Sequence, residues 1–425
     1  MENIKNKKMR MSKVFTPGGF PTITYVSLKE RELEAKLDGA KDYLAKLVIL
    51  TGATKSGKTV LVDRVFPGSE HVWIDGGTVE SEESFWISVL QKIEAYTDVS
   101  INEVNSSQQG FESTIEGSGG IGVINGKVSG NFTVGNNSQN GVQKGRRITP
   151  KVAAITALQD NNDIGLIVDD FHYIDKDIQK NIVRALKAPI MRGVPVIFIA
   201  IPNRKYDAVN VEREMTGRIE NIEMPVWGKN ELRAIAEKGF KALNVSVSEA
   251  IIEFMAKEAY GSPFLMQEFC KSLCLKKDIK ETKNSLESIT LDKDGIEEIF
   301  IDIAEHNGRP IFNRLKNGPR ARTDRKQRHL KNGVVTDIYG LVMEGFKQLK
   351  PGVESVNYEQ LRNQIRDILE DALPQKNEIS RVLDQIAKIS YTDESSTPVI
   401  DWQKAENIIT ITDPFFAFFL KWSRD

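Results

Sequence analysis

Cysteine, histidine and long apolar runs are all scarce in this chain. It has two cysteines and four histidines in 425 residues. Cys270 and Cys274 cannot make a disulfide framework, and a pair four residues apart with no histidine nearby in sequence is not a zinc site. They read as buried thiols in a reducing, cytoplasmic compartment. His71, His172, His306 and His329 are scattered, which leaves no histidine-rich metal cluster and no Ser-His-Asp pattern. No apolar run approaches the roughly 18 residues a membrane span needs. The basic N-terminus, MENIKNKKMRMSKVF, lacks the apolar centre of a signal peptide. A net charge of −1 argues against a wholesale electrostatic nucleic-acid binder. What is present is 40% hydrophobic residues, enough to build cores in about two or three domains.

The most informative stretch is LVILTGATKSGKT at 47–59. Leu47-Val48-Ile49-Leu50 is a buried-strand pattern, 52–59 fits GxxxxGK[ST] in full, and a helical pattern follows. Strand, glycine loop and helix start are the context of a phosphate-binding loop. Glycines let backbone N–H groups curl round phosphate oxygens, and the helix start adds unsatisfied donors and its dipole. Lys58 is expected on the β- and γ-phosphates, and the Thr59 hydroxyl on Mg²⁺. Gly52, Thr54, Lys55, Ser56, Gly57 and Val60 complete the candidate phosphate contacts.

Five apolar segments of strand length, at 47–51, 71–75, 164–169, 194–201 and about 219–224, alternate with helical patterns at 58–65, 82–97, 150–160 and 175–188. This rhythm predicts a five-stranded parallel sheet covered on both faces, with ligands at the C-terminal strand ends. Ser, Asn, Gly and Gln dominate 105–146, an insertion read either as a disordered surface loop or as a contact-making β-hairpin on a flexible stalk, turning at Asn125-Gly126. Residues 1–24 read as an irregular leader, 25–228 as the core and 229–308 as a helical lid without strands. The basic stretch 309–334 is placed as a linker. The last part, 335–425, has helices at 335–349, 358–373 and 377–389, then strands near 398–402 and 407–412, the order of a winged helix. Pro414 follows Asp413 at the start of a strongly apolar final helix.

IGLIVDDFH at 164–172 ends an apolar strand in two acids. Asp169 is placed to hold a Mg²⁺ shell and Asp170 to act as general base toward water. Asn203 and Arg204, just past the next strand, are candidates to sense a γ-phosphate. Gly261-Ser262-Pro263 opens a helix and reads either as a plain helix start with Pro263 just inside or as a corner that closes over the nucleotide. The basic run 309–331 has three readings: a solvated linker, an arginine supplied to a neighbour, or a contact with DNA or RNA phosphates. The expected recognition helix carries Lys376, Arg381 and Lys388 but also Glu378 and Asp384, a balance poor in positive excess.

Taken together, Tyr25-Val26 with Arg31-Glu32-Leu33, 52–59, Asp169-Asp170, Arg204, Gly261-Ser262-Pro263 and a winged helix ending in ITDPFFAFFLKW resemble STAND-class and archaeal-type P-loop ATPases, relatives of AAA+ proteins. The resemblance covers about 25–425 and implies that Tyr25 and Val26 lie against adenine, that Arg204 is the sensor, and that ATP toggles a closed and an assembling state. It implies a switch in signalling, including prokaryotic defence against phage. The family's arginine after the aromatic-Val pair is not at Ser27 or Leu28. With no effector domain or repeat array evident, a partner protein or self-assembly is expected to complete the switch. Two alternatives stay open: a DNA-associated ATPase of initiator or transposition-helper type, and a nucleotide-bound scaffold that does not hydrolyse.

Overall fold

The computed structural model describes residues 8–28, 32–42, 45–95, 98–104, 141–161, 163–201, 217–320, 324–353, 355–391 and 398–424; of 98–104, 141–147 and 391 it describes the backbone alone. The chain divides into two compact units, one of Ala35–Thr51 and Val62–Glu223, the other of Met1–Glu34, Gly52–Leu61 and Met224–Asp425.

The first unit holds a five-stranded parallel sheet. Its strands are β1 (Leu47–Thr51), β2 (Val72–Asp75), β3 (Leu166–Asp169), β4 (Val196–Ala200) and β5 (Ile219–Glu223), in the order β2-β3-β4-β1-β5. All five match the segments expected from apolar run length. Both faces are buried, as a parallel sheet requires. Leu47, Ile49, Val168 and Phe198 join one core with Phe85, Trp86, Leu158 and Ile182 of the helices Glu82–Ile93, Pro150–Asp160 and Lys176–Met191. Val48, Leu50, Ile167, Ile197 and Ile199, which alternate with that set, are buried as well. Local signals set the helix starts: Ser81 and Ser84 form a capping box, and Thr149 caps a helix with Pro150 at its first position.

Residues 98–104 and 141–147 pair as an antiparallel ladder, Asp98 opposite Arg147 and Val104 opposite Gly141. This ladder brackets the insertion, and the hairpin and stalk expected around Asn125-Gly126 lie outside the described residues.

The second unit joins a helical region and a winged helix in one continuous core. Helices Lys229–Ala242, Glu249–Glu258 and Pro263–Lys276 make up much of the expected helical lid. Strands do not stop at 228, however: Val245–Val247 pairs in parallel with Glu287–Ile289. These short strands lack the apolar run length that flags a buried strand. One helix, Lys293–Asn317, runs unbroken through the start of the basic stretch. Residues 8–24 of the segment expected as an irregular leader belong to this core despite their largely irregular backbone. They carry a short helix, Met11–Val14, and bury Met11, Val14 and Phe15. A Cβ at Gly239 would lie 2.2 Å from the Phe15 ring, so a side chain there would displace that ring.

The winged helix has helices Ile338–Leu349, Tyr358–Ile368 and Lys376–Tyr391, and strands Ser355–Asn357, Ile400–Gln403 and Ile408–Ile411. The strand Ser355–Asn357 was not expected; it gains its place by pairing with Ile408–Ile411. The terminal helix Pro414–Trp422 packs its buried aromatic run on Lys293–Asn317. Phe312 and Phe419 lie 5.1 Å apart, and a Cβ at Gly308 would meet Phe419 at 2.2 Å. Cys270 and Cys274 are buried, and burial pushes the Cys274 thiol up to about 12. No helix among the described residues is long and apolar enough to cross a membrane.

Candidate functional site

Gly52 follows directly on Thr51, the buried end of β1. A Cβ at Gly52 would stand 2.5 Å from Met224 Cβ, so only glycine fits there. Lys55 and Gly57 have left-handed backbone, φ 60 and 93, which turns the chain tightly just before the helix Lys58–Val65. Lys55 is the unusual one, since non-glycine residues seldom adopt this conformation. The Lys58 ammonium is held inside the arc by the carbonyls of Gly52 and Ala53, each at 2.9 Å. Lys58 and Ser56 are both buried. The hydroxyl oxygens Thr54 Oγ1 and Ser56 Oγ are buried with no hydrogen-bond partner. Buried hydroxyls normally find partners, so two within one loop suit a polar ligand.

The 52–59 loop is held from outside by three side chains of its own unit. Trp227 Nε1 donates to the Ser56 carbonyl at 2.8 Å. Ser262 Oγ donates to the Lys55 carbonyl at 3.2 Å while capping the helix Pro263–Lys276. Asp413 accepts the Lys55 ammonium. Pro263 sits beside the loop, its Cγ 3.8 Å from where a Gly57 Cβ would lie. The glycine-serine-proline corner and the loop, two hundred residues apart in sequence, are thus brought together.

Tyr25 and Val26 lie against the helical core of the same unit. Lys238 donates to the Tyr25 carbonyl at 2.6 Å, and the Tyr25 hydroxyl donates to Glu34. The adjacent Thr24 accepts from Gln267, on the helix that Pro263 opens, at 2.8 Å.

Asp169 ends β3, in register with Asp75 at the end of β2. Asp170 has φ 50, a left-handed value. Its N–H donates to Asp169 Oδ1 at 2.9 Å. A Cβ at Gly76 would stand 2.4 Å from the Asp170 carbonyl oxygen, so the glycine admits this close backbone approach. The turn beyond is pinned by buried Gln179, whose Nε2 donates to the carbonyls of Phe171 and Ile174, each at 3.0 Å. Because β1, β3 and β4 are parallel, Thr51, Asp169 and Ala200 end on the same edge of the sheet. Asn203 and Arg204 lie outside the described residues.

Much of the basic stretch is spent inside its own unit. Arg309 pairs with Glu305, Lys316 with Glu344, and Arg325 with Asp337 at 2.6 Å while covering the Tyr339 ring. Buried Arg328 faces Glu378, and Arg314 donates to the Ile389 carbonyl.

No family model and no curated protein matches this sequence. Among solved structures, the Walker-type ATPase of Pyrococcus abyssi is similar over 92% of this chain and 95% of that one, with a TM-score of 0.52 at 12% identity. That likeness is one of fold, the five-stranded parallel sheet of P-loop NTPases with its helical and winged-helix parts. Weaker likenesses run to Cdc6p of Pyrobaculum aerophilum (TM-score 0.41, 11% identity, 97% of both chains). They run also to the Aeropyrum pernix Orc1 protein in complex with DNA (TM-score 0.45, 9% identity, 97% of this chain and 96% of that one).

Within this fold, three residues that support the candidates escape a sequence reading. Trp227 carries no local signal. Asp413 reads only as a helix cap before proline, although the same carboxylate reaches the loop. Gly76 sits in a Gly-Gly turn whose purpose is set by a strand paired with its own.

Proposed function

We propose that this protein binds ATP with Mg²⁺ at the 52–59 loop, hydrolyses it slowly, and uses the nucleotide to switch between conformations in assembling with itself or a partner. The observation that carries this reading is the loop. A glycine that admits no Cβ, two left-handed residues, a lysine ammonium inside the arc and two buried unpartnered hydroxyls make a cradle for phosphate oxygens.

Lys58 would exchange the carbonyls of Gly52 and Ala53 for β- and γ-phosphate oxygens. Thr59 and Asp169 are hard oxygen donors that suit Mg²⁺, an ion that keeps several of its own waters. When bound, the metal neutralises charge on the phosphates. Asp170, held in its strained turn, is assigned as the base that orients and deprotonates water. Ser262 and Pro263 steady the loop from the lid, and Tyr25 and Val26 are assigned to the adenine side. Asn203 and Arg204 remain the proposed γ-phosphate sensors. A place in prokaryotic signalling or defence against phage follows from the family resemblance. The DNA-associated alternative draws less support, because the basic stretch that motivated it makes internal ion pairs.

Nucleotide titration and phosphate release test the reading together. Lys58→Ala is expected to abolish binding of ATP, and Asp170→Asn to bind ATP while losing turnover. Binding that survives Lys58→Ala would overturn the site, and turnover unchanged in Asp170→Asn would overturn the base.

A further inference from the structure

Lys55 is among the candidate phosphate contacts, yet its side chain already has a partner 358 residues along the chain. Its ammonium meets Oδ2 of Asp413 and lies 4.9 Å from the Phe415 ring centre. The other oxygen of the same carboxylate, Oδ1, accepts the N–H groups of Phe415 at 2.8 Å and Phe416 at 3.0 Å. One buried carboxylate therefore both starts the terminal helix Pro414–Trp422 and grips the loop. The far end of that helix has a separate anchor. Lys421 Nζ reaches both oxygens of buried Glu258 at 2.7 Å, and Trp422 Nε1 donates to one of them at 2.9 Å. The helix is thus a strut held by ion pairs at both ends, and one of those ends is the loop itself.

We propose that the Lys55–Asp413 pair is a latch in which triphosphate and the terminal helix compete for one lysine. This rests on the reading of the loop as the nucleotide site. A polyphosphate brings several negative charges to the loop. In partly buried surroundings a carboxylate on a loop lysine repels them and occupies a cation they would use. Phosphate binding therefore loosens the hold on the start of the helix. By thermodynamic reciprocity, a seated helix holds nucleotide affinity down by the same factor. The two-ended anchoring suits such a device, because releasing Lys55 frees the start of the strut while Glu258 retains its end. The strut runs through the core that joins the lid to the winged helix, so its loosening is a route from the loop to that region.

The experiment uses the full chain and two readouts. Affinity for a fluorescent ATP analogue is measured for the unmutated protein, Asp413→Asn and Lys58→Ala. Hydrogen exchange of the 413–424 amides is followed with and without Mg-ATP. Asparagine keeps the capping oxygen for Phe415 and Phe416 but removes the charge. Asp413→Asn is expected to bind the analogue at least about 5-fold tighter and to exchange faster at 413–424 without nucleotide. Mg-ATP is expected to speed exchange there in the unmutated protein. Affinity that is unchanged or weaker in Asp413→Asn overturns the latch, as does exchange that ATP leaves unchanged or slows. Should the substitution impair folding, exchange in the unmutated protein decides alone. If the unmutated protein binds no analogue, the nucleotide reading itself fails. If it binds, Lys58→Ala does not, and Asp413→Asn binds no tighter, only the latch fails.

Discussion

Trp227 Nε1 donates to the carbonyl of Ser56 at 2.8 Å, so a single indole in the helical unit fixes the turn just before Gly57 and Lys58. Without that bond the Ser56 peptide plane is free to rotate, and with it the N–H groups assigned to phosphate. Trp227→Phe keeps most of the ring packing and removes the donor. A net hydrogen bond is worth about 0.5–1.5 kcal/mol, so ATP affinity is expected to fall about 2- to 10-fold. Titration with a fluorescent ATP analogue checks this; equal affinity in the variant would remove Trp227 from the site.

Gly76→Ala addresses the acid pair without touching either acid. The added methyl would stand 2.4 Å from the Asp170 carbonyl oxygen, against backbone that cannot yield cheaply. Asp170 must shift, and as the proposed base it would lose its alignment with water. Turnover is expected to drop by about 10-fold or more while ATP affinity stays within about 2-fold of the original. Turnover and affinity falling together would instead point to collapse of the sheet edge.

Arg325→Glu separates the structural from the nucleic-acid reading of the basic stretch. It places like charges at Asp337 and removes the guanidinium from the Tyr339 face. A loss of about 1–3 kcal/mol is expected, read as a lower melting temperature. If the variant melts normally and loses salt-sensitive affinity for DNA instead, the arginine serves a nucleic-acid partner.

Stability should respond to His71. Its Nδ1 accepts from the Gly165 N–H at 3.0 Å, so the folded ring is held neutral. Burial pushes its pKa below 6.5, Glu70 opposes this and Lys41 adds to it. The unfolded chain therefore takes up a proton near 6.5 that the folded chain takes up only at lower pH. The stabilisation is complete above that value and is lost as pH falls from it toward the folded pKa. Melting temperature is expected to drop between about pH 7.5 and 5.5, and to drop less in His71→Asn, whose amide oxygen still accepts from Gly165. Parallel curves for the two proteins would rule the histidine out.

The parallel sheet, the winged-helix order and the 52–59 loop are legible in short windows of sequence. Each depends on contiguous residues: apolar runs of strand length, helical spacing, and a glycine-lysine turn between strand and helix. A parallel strand buried on both faces needs an unbroken apolar run wherever it lies in the chain, and β1, β3 and β4 have one. The short strands Val245–Val247, Glu287–Ile289 and Ser355–Asn357 lack that mark because pairing, not composition, makes them strands. What surrounds the loop comes from packing between distant segments. Trp227, Ser262 and Asp413 reach it only because folding brings them there from far along the chain. Packing also decided that much of the basic stretch is internal. Charge along a sequence does not reveal that Arg325 has Asp337, or Arg328 has Glu378, as its partner. Local backbone chemistry is written in neighbouring residues; a partner across the core is set by packing, which no short window of sequence contains.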